Sequence, residues 1–124
     1  MGDLNDDPVN MSVKGILRAQ TKPENLGPAE MFNPMYAFYK RGIGTTAYKD
    51  AWSLFDQVIV SSNLVGDGEA DGYRFYRARV FNESFLIQKL GQYKGYPFRT
   101  FSGNTYIGGY SDHFPVYVFL VKRI

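Results

Sequence analysis

Gly108-Gly109-Tyr110-Ser111-Asp112-His113-Phe114-Pro115, close to the C-terminus, is the stretch around which the chain is read. It carries the only histidine of the 124 residues, with a carboxylate just before it and the apolar run Val116 to Val121 just after it. That run reads as a final strand, buried on both faces, and Pro115 opens it where proline is tolerated. Ser111, Asp112 and His113 have the residue types of a nucleophilic triad, but successive residues of an extended segment point to opposite sides. A triad needs its members in one line of hydrogen bonds, so serine-hydrolase chemistry is excluded.

At the far end of the sequence stands Gly2-Asp3-Leu4-Asn5-Asp6-Asp7-Pro8, which reads as a turn leaving a strand. Asp3 and Asn5 alone are ordinary turn formers, because their side chains bond local backbone. Between the two ends lies Phe55-Asp56-Gln57-Val58-Ile59-Val60, a run of interior-strand character. A carboxylate inside such a run is costly without a partner. His113 is the natural one: Asp56 accepting from one ring nitrogen leaves the other to face a substrate. Spacing alone equally allows a polar pair that only pins two strands together.

The remaining segments read as follows. Asn10 or Ser12 caps a short helix to about Ala19, with Val13, Ile16 and Leu17 on one face. Asn33-Pro34 starts a second helix that stops at Gly42. Thr45–Tyr48 is a short strand and Tyr73–Phe81 an alternating one. Residues 66–72 form a polar hairpin tip, residues 82–90 a short helix, and residues 92–109 loops with brief strands. Asp3-x-Asn5-x-Asp7 and Asp67-x-Glu69-x-Asp71-Gly72 begin like calcium loops, but Lys14 and Ala78 stand where the bidentate glutamate belongs.

Composition narrows the classes. The length suits one domain. Aromatic residues make up 17%, with ten Tyr and ten Phe, which fits a ring-packed core or, less simply, a ring-lined cleft. Without cysteine there is no disulfide, thiolate nucleophile or thiolate zinc site. No apolar run reaches the ~18 residues of a membrane span. The net charge of +2 is small, but Arg74, Arg77, Arg79, Lys89, Lys94 and Arg99 face only Glu83 within that stretch, while Asp3, Asp6 and Asp7 crowd the first seven residues. An acidic corner for a cation beside a basic surface suits phosphate chemistry, and also suits an uneven solvated surface.

Taken together and in this order, the three motifs resemble the endonuclease/exonuclease/phosphatase, or DNase-I-like, family. The resemblance spans nearly the whole chain and covers the C-terminal half of the family's domain. It implies an α/β (α+β) fold: the C-terminal half of a four-layer α/β/β/α sandwich with mixed, largely antiparallel sheets. It implies a metal-dependent hydrolase of phosphate esters, a phosphodiesterase or endonuclease, using magnesium, with manganese and calcium as alternatives. By the resemblance, Asp3 positions or deprotonates the attacking water and Asn5 holds the phosphate. Asp112 binds the metal. His113, oriented by Asp56, contacts the scissile phosphate. Substrates range over nucleic acid, favoured by the basic 74–99 stretch, and small, sugar or lipid phosphates.

The family's metal-binding Glu, early Asn and second His have no counterpart here. Residues 1–124 are therefore expected to be the C-terminal portion of one such domain, its N-terminal half absent. On its own this portion is expected to turn over no phosphate ester, and to self-associate or meet a companion through an uncovered sheet face. The rival reading is a non-catalytic binding module that keeps the sheet scaffold.

Overall fold

The computed structural model describes residues 1–66 and 72–122. It is α+β, with short antiparallel strand pairs and little helix. In chain order the strands are β1 (Gly2–Asp3), β2 (Met31–Phe32), β3 (Thr46–Tyr48), β4 (Ala51–Ser53) and β5 (Asp56–Gln57). There follow β6 (Val60–Ser61), β7 (Tyr73–Val80), β8 (Phe101–Ser102), β9 (Thr105–Tyr106) and β10 (Val116–Lys122), with one α-helix among the described residues, α1 (Met35–Lys40). Among the described residues the strands join in five antiparallel pairs: β1 with β5, β2 with β6, β3 with β4, β7 with β10, and β8 with β9. The hairpin tip read at 66–72 lies almost wholly outside the described residues.

The β7–β10 pair is the scaffold. Val116 and Val118 lie opposite Val80 and Ala78, and these four turn towards the interior. Beneath them Met35 of α1 and Leu54 are fully buried, and Phe32, Val58 and Val60 close the core at the other end. Phe75 and Val116 touch both groups and make them one core. Phe75 meets Phe32 edge-on at 5.6 Å, the geometry aromatic quadrupoles favour. Burying Met35 and Leu54 contributes about 1.5–3 kcal/mol each.

Several sequence expectations are corrected. The last strand is covered on one face only, because the outward row Tyr117, Phe119 and Val121 is exposed. The run Phe55–Val60 is two strands, not one: Asp56–Gln57 pairs with β1 and Val60–Ser61 with β2. Residues 82–90 hold only a single 3₁₀ turn, Ser84–Leu86. There the backbone is claimed by an extended partner, since Gln88 N–H donates to the Tyr96 carbonyl and Phe98 N–H to that of Leu86. The first helix is a wide turn, Met11–Ile16, that buries Val13 and leaves Ile16 and Leu17 exposed. The second helix starts as read, with the Asn33 side-chain oxygen accepting from Met35 N–H at 3.0 Å.

Candidate active site

The fold brings the two ends of the sequence together. β1 lies antiparallel to β5 with Asp3 directly opposite Asp56, so their side chains share one face. Leu4 N–H continues the pairing to the Phe55 carbonyl at 2.8 Å. Next, Asn5 adopts a left-handed backbone with φ 52°, a conformation asparagine tolerates better than most residues. Its N–H donates to Asp3 Oδ1 at 2.9 Å, which turns the chain and fixes the Asp3 carboxylate.

His113 arrives from the other side, held by β3. Phe114 N–H donates to the Thr45 carbonyl at 2.7 Å, and the Thr46 hydroxyl to the Asp112 carbonyl at 3.0 Å. Ser111 serves the turn: its hydroxyl oxygen accepts from His113 N–H at 3.1 Å. Thr45 is fully buried and holds both halves of the site, because its hydroxyl oxygen also accepts from Asp56 N–H at 3.3 Å.

The result is a close cluster. His113 Nδ1 and Asp56 Oδ2 are 2.7 Å apart, both side chains partly buried. Asp3, Asp56 and His113 each offer a ligand atom, and these lie within 4.8 Å of one another. Asp112 lies outside this trio, exposed, with its carbonyl bound to Thr46. Asn5 is exposed beside Asp3. Thus Asp3, Asn5, Asp56 and His113 share one edge, and Asp112 adjoins it through the chain.

Behind the cluster runs a buried polar network that the sequence reading missed. Gln57, fully buried, donates to the Asp6 carbonyl at 2.6 Å and accepts from Asn33 Nδ2 at 2.7 Å. Asp7 Oδ1 accepts from Leu54 N–H at 2.6 Å, and the Asp6 carboxylate accepts from Asn10 and Ser12. Asp6 and Asp7 therefore spend their carboxylates on Asn10, Ser12 and Leu54 and are not a free acidic surface. The signal was present: Gln57 sits in the same apolar run as Asp56, and a buried amide needs partners as a buried carboxylate does.

The donor set fits a hard divalent cation. Two carboxylates face each other across β1–β5, and among the described residues no lysine or arginine pairs with either. Like charges directly opposite are destabilising unless a cation lies between or beside them. Carboxylate oxygens are the ligands magnesium prefers.

The chain belongs to the endonuclease/exonuclease/phosphatase family, whose sequence model matches residues 1–122. No curated protein and no solved structure matches it.

Proposed function

We propose that this domain is a metal-dependent phosphoesterase that cleaves phosphodiesters. The observation that carries the reading is the 2.7 Å Asp56–His113 pair with Asp3 set opposite it. Asp56 accepts from Nδ1–H, which fixes the ring and leaves Nε2 directed to the substrate. As the imidazolium, His113 donates from Nε2 to a phosphate oxygen and offsets the charge that grows there. The Asp3 carboxylate, held by Asn5 N–H, orients the attacking water and takes its proton. The Asn5 amide lies beside it for a second phosphate oxygen. Asp112, at the rim of the Asp3–Asp56 pair, would hold magnesium, which when bound supplies positive charge to the phosphate oxygens.

The test is release of product from phosphodiester and phosphomonoester substrates by the complete enzyme. Hydrolysis should vanish in EDTA, return with magnesium or manganese, and favour the diester. Turnover that persists undiminished in EDTA overturns the reading.

We further propose that residues 1–124 form the C-terminal portion of a single four-layer sandwich. The support is the open face of β7–β10, where Tyr76, Tyr117, Phe119 and Val121 are all exposed. Apolar patches above a few hundred Å² seldom stay bare on a monomer. The isolated 124 residues should therefore self-associate, giving a scattering mass well above 14.1 kDa, and Phe119→Glu should return the monomer. A monomeric mass for the unaltered chain refutes the uncovered-face argument.

A further inference from the structure

A concavity lies between the β3–β4 hairpin and the loop at residues 92–99. It is a cleft of about 380 Å³ lined by Tyr48, Lys49, Asp50, Tyr93, Tyr96 and Arg99 among others, within the size range of small-ligand sites.

Its floor is rigid. Tyr96 is buried, and its hydroxyl donates to Asp50 Oδ1 at 2.5 Å while accepting from Asp50 N–H at 2.7 Å. The bond to the Asp50 carboxylate raises the phenol's pKa above its ordinary value, so the hydroxyl stays protonated and the anchor stays made. Trp52 and Tyr93 brace the ring at 5.8 and 5.5 Å between centroids. The hairpin turn above it is strained. Lys49 and Asp50 both have left-handed backbones, φ 48° and 63°, in a two-residue reversal that ordinarily takes Asn-Gly. Backbone strain of this kind persists where the surroundings hold it. Here Tyr96 holds it.

Two cations line the cleft. Lys49 lies over the Tyr48 ring at 5.3 Å, and Arg99 is exposed. Among the described residues neither pairs with a carboxylate, and the one acid present, Asp50, is bound to Tyr96. Rings together with unpaired cations suit a flat group carrying a phosphate. Sugar and lipid phosphates have the charge but no flat face.

The cleft is tied to the cluster by backbone. Thr45 and Thr46, at the start of β3, hold the Asp112–Phe114 segment, and β3 reaches the cleft at Tyr48. Two residues of strand span about 7 Å. Gly109 N–H donates to the Arg99 carbonyl at 3.1 Å, four residues before His113.

We infer that this cleft is a nucleotide subsite, stacking a base on the exposed Tyr93 ring above the Tyr96 floor, with Lys49 and Arg99 as its phosphate contacts. Its link to catalysis rests on the phosphoesterase reading, but its binding does not.

The test measures equilibrium binding in EDTA, where no turnover is needed. The probes are a five-nucleotide thymidylate strand, the same strand without bases, thymidine 5′-monophosphate and inorganic phosphate. The strand with bases should bind at least about tenfold tighter than the baseless one, as expected for stacking of about 1–3 kcal/mol per base. Tyr93→Ala and Arg99→Ala should each weaken it about tenfold. Tyr93→Phe should retain it. Both residues are exposed, so the variants should fold, which melting curves check. Tight binding of the monophosphate assigns the subsite to a free nucleotide, and binding of the strand alone assigns it to a polymer; both uphold the inference. Equal affinity for strands with and without bases, wild-type affinity in both alanine variants, or inorganic phosphate bound as tightly as the strand overturns it. Failure of hydrolysis in the earlier assay would leave these values untouched, and loss of nucleotide binding would leave the hydrolysis result standing.

Discussion

His113→Ala lowers kcat for phosphodiester hydrolysis by about a thousandfold in the complete enzyme, the scale of losing one donor to developing charge. Stability should fall as well, because the variant leaves the Asp56 carboxylate, the less exposed partner, without its hydrogen bond and opposite Asp3. Asp56→Ala should be milder on both counts. It costs less rate, about a hundredfold, because it acts through the ring it orients. It costs less stability, because the imidazole left behind keeps 25% of its surface exposed and the like charge facing Asp3 is gone. The double variant then separates positioning from structure. If Asp56 works only through His113, removing both costs no more rate than removing His113 alone. Steady-state rates and thermal melts of the three variants decide it. Near-normal rates in both single variants would show that the pair merely fastens β5 to the 110–115 segment.

That pair could be read from the sequence for a reason that extends to other residues. A carboxylate in an apolar run has few ways to be satisfied, and a chain with one histidine offers one imidazole. Local signals also held. Asn33-Pro34 starts α1, because capping is decided within a few residues, and the alternation from Tyr73 gives β7. What stayed hidden depends on partners distant in sequence. Phe55–Val60 looks like one strand, yet β1 and β2 claim its two ends separately. Residues 82–90 look helical, yet Gln88 and Leu86 spend their backbone on Tyr96 and Phe98. Thr45 carried no signal at all: a threonine in a strand is ordinary, and only the fold shows it joining Asp56 to Phe114. The exposure of the outer row of β10 was misread because an apolar run does not say how many faces are covered.

Gly109→Ala should be the most damaging single change to stability. Its methyl would lie 2.0 Å from the Phe98 carbonyl oxygen and 2.3 Å from that of Arg99. Those atoms are backbone, so no rotamer change relieves the contact and the two strands of chain must separate. Separation breaks the bonds from Gly109 N–H to Arg99 and from Tyr110 N–H to Phe98. The expected loss is about 3 kcal/mol, the upper range for overpacking, which at roughly 4 °C per kcal/mol lowers Tm by about 12 °C. Gly27→Ala is the control, since its methyl meets only the far end of Glu30 at 3.4 Å and Tm should stay within about 2 °C. Function should fall with structure. Gly109 opens the segment that carries His113, and a shift of about 1 Å at a catalytic group costs on the order of a hundredfold in rate. The same shift moves Arg99 away from Tyr93 and Tyr96, so nucleotide binding in EDTA should weaken with hydrolysis. A Gly109→Ala protein that melts like the wild type would mean that residues 98–99 do not pack against the motif, and the tie between the cleft and the cluster would go with them.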